Sequence, residues 1–236
     1  MGKGATLFPF FVSLPQMTNR KTILYIHGMG GGGDSRIPSV LREYFHDCTE
    51  ASSSMSVQVA CHTHDFDPER ASTQIQEWVK ELKPDLVIGE SLGALHAIRI
   101  TGVPHLFVSP ALNAPIYFEI LSWLSVIPGV TRLFDKIYRP KAGDRQSLHF
   151  SRGLLKKYMP HRVTALSEIS ERLNSEFFHA FFGTDDHYRK SGIVSLRTWK
   201  RYFGSSFTVY EGTHFMEEER IYDSLIPMII KVLKNK

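Results

Sequence analysis

Asp85-Leu86-Val87-Ile88-Gly89-Glu90-Ser91-Leu92-Gly93-Ala94-Leu95-His96-Ala97-Ile98 is the stretch whose reading decides the fold. Its first residues form a short apolar run with β-branched members, the pattern of a buried strand, and from Ala94 onward it reads as the start of a helix. Between the two lies Gly-x-Ser-x-Gly. A serine in such a strand–turn–helix context sits on a sharp, strained turn, and the flanking glycines let neighbouring backbone pack closely. Its hydroxyl is then presented at a helix N-terminus, where partial positive charge favours a developing oxyanion. The competing reading is an incidental turn in which small residues meet by chance.

Working outward, short aliphatic runs alternate with helical stretches. Strands are predicted at Thr22–His27, Ser56–Cys61, Asp85–Gly89, His105–Ser109, Phe177–Phe182 and Ser206–Tyr210, and helices at Ser35–His46, Pro68–Leu82, Ser91–Thr101, Tyr188–Phe203 and Met216–Leu233. Near-continuous apolar strands mark a sheet covered by helices on both faces. The fold class is therefore α/β, a doubly wound and mainly parallel sheet of about six strands, in which ligands gather at the carboxyl ends of the strands. Residues 112–173 depart from this rhythm. Two long helical segments rich in aromatics, broken at Pro128-Gly129 and Pro140, carry no clear strand, and they read as a helical, cap-like insertion over the sheet. The expected organisation is an N-terminal extension over 1–21 and one domain over 22–236 that contains the insertion.

The second signal is His27-Gly28-Met29-Gly30-Gly31-Gly32-Gly33, a glycine-rich loop directly after the first strand. Glycines allow a backbone N–H to face a site unobstructed, and Met29 and Leu92 are the natural N–H pair for an oxyanion hole. A phosphate-binding loop is the rival, but the Gly-Lys-Ser/Thr ending of a P-loop is missing. A serine hydroxyl needs a base. His214, in Gly212-Thr213-His214-Phe215 between the last strand and the terminal helix, is the best placed of eleven histidines. His27 belongs to the glycine turn and His96 to the helix behind Ser91. An acid must orient the imidazole. Phe181-Phe182-Gly183-Thr184-Asp185-Asp186 follows the fifth strand and offers Asp186, with Asp185 as the alternative. The chain order Ser91, Asp186, His214 is that described for α/β-hydrolases.

On these four motifs the sequence resembles the α/β-hydrolase superfamily, over Thr22–Leu106 and Phe177–Leu233. The glycine loop, the Gly183-Thr184-Asp185-Asp186 turn and the Gly-x-His-Phe segment look closest to small serine hydrolases of the retinoblastoma-binding protein 9 type and to compact bacterial esterases. In those relatives the acid is the second aspartate of a comparable pair, which favours Asp186. The resemblance implies cleavage of a carboxylic ester, thioester or amide of a small acyl substrate through an acyl-serine, with no cofactor. Glu90 and Ala94 depart from the residues frequent at those positions, and the insertion has no counterpart. A Glu90 carboxylate either stands near the oxyanion or points at solvent. These departures motivate the alternative of a non-catalytic binding or interaction protein on the same scaffold.

Composition narrows the remainder. The 236 residues, 42% hydrophobic and 22% charged, suffice for a packed core. The net charge of +4 is spread over scattered basic pairs, which argues against a nucleic-acid partner. Two cysteines, Cys48 and Cys61, exclude a disulfide scaffold and fit a cytoplasmic setting. No run reaches membrane-span length; Ile116 to Pro128 comes nearest. Leu7–Pro15 imitates a signal peptide broken by prolines, Met1–Thr6 matches a loose myristoylation pattern, and Met17 is the simpler natural start. Cys61-His62-Thr63-His64-Asp65-Phe66-Asp67 suggests a metal site, but no further ligand group accompanies it, so the expectation is no metal and two histidines at a pocket rim. Glu217-Glu218-Glu219 reads as dipole-complementing charge at a helix start.

Overall fold

Six strands, β1 (Asn19–Ile26), β2 (Met55–Cys61), β3 (Leu86–Glu90), β4 (His105–Val108), β5 (Phe178–Gly183) and β6 (Phe207–Tyr210), form one sheet in the order β2-β1-β3-β4-β5-β6. Every neighbouring pair is parallel. The computed structural model describes residues 19–50, 55–138 and 143–235, and within a helix or strand the side chains of 19, 47–50 and 55 are left aside. The readings of the extreme N-terminus, of Met17 as a start, of the Ser52-Ser53-Ser54 turn and of the Pro140 break therefore lie outside the described residues, and that of Cys48 concerns a side chain left aside. β1 starts at Asn19, so residues 19–21, expected in the extension, pair with Met55, Ser56 and Val57.

Successive strand residues point to opposite faces and feed two cores. Leu24, Ile26, Val87, Phe107, Ala180 and Phe182 pack on one side. Ile23, Tyr25, Leu86, Ile88, Leu106, Val108 and Phe181 pack on the other. The second face is covered by α1 (Arg36–Glu50), by a π-helical turn at Ile221–Leu225 and by α11 (Ile226–Lys234); the short α10 (Glu218–Arg220) leads into that turn. The first face carries α2 (Pro68–Leu82), α3 (Gly93–Ala97), α4 (Ala114–Leu124), α5 (Val130–Ile137), α6 (Arg152–Ser167), α7 (Ile169–Arg172), α8 (His187–Ser191) and α9 (Leu196–Phe203). Trp199 lies at the centre of this side, fully buried and stacked on Phe203 at 4.1 Å.

Four helices differ from their expected spans, the first because α1 continues past His46 to Glu50. The predicted helix over Tyr188–Phe203 is two, because Gly192 takes φ 82° and ends α8, after which the Ser195 hydroxyl caps α9 by accepting from Thr198 N–H. The C-terminal helix changes to a π-turn ahead of Pro227, whose nitrogen has no proton for the ladder. The helix after Ser91 is shorter, Gly93–Ala97. The described residues of 112–173 form four helices, α4 to α7, where the sequence suggests two long segments.

Buried histidines are unusually frequent. His27 stacks on His64 at 4.1 Å, His64 meets His96 edge-on at 5.0 Å, and His96 meets His161 at 4.6 Å. Burial, which penalises the charged ring, lowers all four, His27 to about 3 and His161 to about 4. His105 is likewise pushed down to about 4, first by burial and then by Arg172; the Glu176 carboxylate, 3.8 Å away, is already committed to Arg172 at 2.6 Å.

Two predictions follow from this packing. A methyl group added at Gly93 would lie 2.4 Å from the His27 carbonyl oxygen, whereas one at Gly153 on α6 meets nothing. Gly93→Ala should therefore cost about 1–3 kcal/mol in denaturant unfolding, and Gly153→Ala should add about 0.5–1 kcal/mol. The neutral histidines bind protons only on unfolding, so stability is full above the ordinary histidine value near 6.5 and falls as pH drops from there towards 4. The denaturant midpoint should drop over that window, with a shallower slope in His161→Phe.

Candidate active site

Ser91 follows β3 with φ 49°, a left-handed conformation that costs a serine about 1–2 kcal/mol. Neighbouring backbone enforces it. Ser91 N–H donates to the Val108 carbonyl at 2.9 Å, and its own carbonyl accepts from Ala111 N–H at 3.0 Å. Gly28 lies so close that a Cβ there would stand 2.9 Å from Ser91 Cβ, so the glycine loop abuts the serine directly.

His214 Nε2 is 2.9 Å from Ser91 Oγ, and His214 Nδ1 is 2.9 Å from Asp186 Oδ2. Serine, imidazole and carboxylate thus form one hydrogen-bonded chain drawn from three strand ends. His214 and Asp186 are buried and Ser91 is half-buried. With Nδ1 donating to the carboxylate, Nε2 is left as the acceptor facing the hydroxyl. Asp186 also accepts from Tyr188 N–H at 2.8 Å through its other oxygen, capping α8, which fixes the carboxylate from both sides. Asp185, the alternative acid, is exposed, and its carboxylate accepts from the hydroxyl of its neighbour Thr184. Among the described residues neither the Met29 nor the Leu92 N–H meets an acceptor.

The loop carrying His214 is tied down by groups that the sequence reading missed. Arg36 Nη2, at the start of α1, donates to the Phe215 and Met216 carbonyls at 2.7 and 2.8 Å. The Glu217 carboxylate accepts from Thr213 N–H and Thr213 Oγ1, at 3.0 and 2.7 Å. Burial opposes its charge, but these bonds outweigh burial and hold its carboxyl below the ordinary value. Glu217 is therefore a latch on the turn before His214 as well as the residue that precedes α10. Tyr188 packs edge-on against the His214 ring at 4.6 Å. An arginine in a first helix and a glutamate four residues past a threonine carry no local signal of such contacts.

Glu90 is half-buried and accepts from the Tyr25 hydroxyl at 2.7 Å, a third arrangement beyond the two expected. Burial and then this carboxylate raise Tyr25 well above the ordinary phenol. His62 and His64 part company. His62 is exposed against Trp78 at 5.0 Å, whereas His64 is buried on His27 and accordingly does not line a rim. Among the described residues no three His, Cys, Asp or Glu groups converge as metal ligands. The glycine loop spends its N–H groups internally, Gly30 on Gln146, Gly31 on the Gly28 carbonyl, Gly32 on Ser35 and Gly33 on Thr63. Those four N–H groups are not free to cradle a phosphate.

No family model matches the sequence, and no curated protein sequence does so either. Solved structures do match in shape. Est1E from Butyrivibrio proteoclasticus, solved with ferulic acid bound, aligns over 92% of this chain and 91% of its own, with TM-score 0.59 and 16% identity. A bromoperoxidase from Bacillus anthracis aligns over 92% of both chains, with TM-score 0.53 and 12% identity. A carboxylesterase of the ammonia-oxidizing thaumarchaeon Nitrososphaera gargenis aligns over 92% of both, with TM-score 0.52 and 14% identity. At these identities the likeness is one of architecture: the chain has the α/β-hydrolase fold.

Proposed function

We propose that the protein is a serine hydrolase that cleaves a carboxylic ester through an acyl-serine. The observation that carries this reading is the continuous hydrogen-bonded chain from Ser91 through His214 to Asp186. Its resemblance in the aspartate and histidine turns to small serine hydrolases of the retinoblastoma-binding protein 9 type supports the same roles. One protein of similar fold is a carboxylesterase.

In the first half-reaction His214 Nε2 accepts the Ser91 hydroxyl proton as Oγ bonds the substrate carbonyl carbon. Negative charge passes to the carbonyl oxygen, where the N–H groups of Met29 and Leu92 receive it; donors that are already oriented need not reorganise as charge develops. Collapse breaks the carbon–oxygen bond to the leaving alcohol, which takes the proton from His214. Water then repeats the sequence in reverse, giving the carboxylic acid and restoring Ser91. Asp186 keeps Nδ1 protonated and stabilises the transient imidazolium. No step calls for a cofactor or a metal. The helices α4 to α7, entering from β4 beside Ser91, act as the cap on the acyl group.

Ser91→Ala should abolish both turnover of nitrophenyl esters and labelling by a fluorophosphonate, with circular dichroism unchanged. A variant that still turns over ester would overturn the reading, and an unlabelled wild type would favour a scaffold without catalysis. Asp186→Asn keeps the α8 cap but offers Nδ1 the wrong partner, so kcat should fall about 10⁴-fold. Asp185→Asn should leave kcat as it is; the reverse ranking would reassign the acid.

A further inference from the structure

Ten of the sixteen large hydrophobic residues exposed among the described ones lie between Ile116 and Tyr138, which marks α4–α5 as a surface different from the rest. The most open are Ile120, Trp123, Val126, Ile127, Leu133 and Ile137, each more than half exposed. α4 already buries Ala114, Pro115, Phe118 and Ser122 against its own domain, so it is apolar on its outer side as well. A helix apolar all round belongs in a core or against another apolar phase. On α5 an exposed apolar pair, Leu133 and Ile137, runs beside an exposed basic pair, Arg132 and Lys136, both at four-residue spacing. On α6 the Arg152 guanidinium and the Lys156 ammonium lie 5.0 and 5.4 Å from the centre of the Trp123 ring of α4.

We infer that α4–α5 is a docking surface for an anionic lipid bilayer, lying in the interface with its apolar side chains among the headgroups and its cations on lipid phosphates and carboxylates. An apolar stripe flanked by Lys and Arg with a tryptophan at the boundary is what interfacial binding requires. Charge selects this occupant. A twofold contact with a second copy would set the patch bearing Arg132, Lys136, Arg152 and Lys156 against the same cationic patch, whereas a negative leaflet attracts all four. Among the described residues none of the four is in an ion pair that would cancel it. Of the two acids in these helices, Asp135 is half-buried and accepts from Phe150 N–H, and Glu119 is half-buried as well. The 11 residues of α4 span about 16 Å, roughly half a hydrocarbon core. Among the described residues no helix is long and apolar enough to cross a membrane, so the surface rests on the bilayer. This inference stands apart from the hydrolase reading, since docking needs none of Ser91, Asp186 or His214.

Sedimentation of the full chain with vesicles tests it. Vesicles of phosphatidylcholine mixed with phosphatidylserine should carry the protein down, with a blue shift of tryptophan emission that disappears in Trp123→Phe, while phosphatidylcholine alone should bind far less and added salt should release it. Arg132→Gln with Lys136→Gln should weaken partitioning about 30-fold, and Ile120→Ser with Ile127→Ser should abolish the emission shift. Binding to neither vesicle, or equal binding to both without salt dependence, would overturn the proposal. So would a dimer in solution that Ile120→Ser dissolves, which assigns the face to a second copy, or shielding of Trp123 from iodide in the free monomer, which assigns it to the chain's own residues.

Discussion

The site exists because the backbone at Ser91 is held in a conformation that an isolated serine would leave. On one side, Gly93 brings the start of α3 against the Ile26 and His27 carbonyls, with no room for a methyl group. On the other, hydrogen bonds to Val108 and Ala111 clamp the turn from β4 and from the segment that leads into α4. The strain of the left-handed residue, about 1–2 kcal/mol, is small beside the burial of β3, whose first four residues are all buried. The sheet overrides the local preference, and the hydroxyl projects from the strand end because the turn cannot relax.

From that fixed point the other groups follow through topology. In a parallel sheet every strand delivers its following loop to one edge. β5 and β6 are neighbours, so the loops bearing Asp186 and His214 leave side by side and are tied to each other by Asp185 N–H on the Gly212 carbonyl at 2.9 Å. Arg36, Glu217 and Tyr188 then remove the remaining freedom of the histidine loop and ring. Orientation is thus supplied twice, by the acid on the ring and by the latches on the backbone. A base held within hydrogen-bond reach of its proton is the arrangement that general-base catalysis needs.

All six strands were legible because each is a short apolar run bounded by turn residues, and a buried parallel strand leaves that trace whatever its partners. The serine turn was legible for a related reason: only small residues fit a chain that passes so near its neighbours. Asp186 and Asp185 could be ranked by the resemblance but not by local pattern, since the difference between them is burial against a ring 28 residues further along the chain. Tyr25 with Glu90, and Arg36 with the carbonyls after His214, were not legible, because long side chains reach across strands and helices without leaving a periodic mark. The break at Gly192 was in plain view, yet hydrophobic spacing on either side continues through it and hides the left-handed residue that ends α8.

The histidine row and the exposed helices share a cause. Residues under the carboxyl edge must stay uncharged to be buried, so His27, His64 and His96 give up their charge beneath the site, with His64 Nδ1 set 2.9 Å from the Asp65 carbonyl and 3.1 Å from Gln146 Nε2. Gln146 also ties Gly30 and Gly31 of the glycine loop, so the segment that returns from α4–α5 is bonded to the loop beside Ser91. α4 enters from the Ser91 turn, and the chain returns through Gln146. A surface between two such anchors can change its outer residues without moving the turn it starts from, because those exposed side chains belong to neither core. That is where a domain with two complete cores can present apolar side chains outward at no cost to its interior.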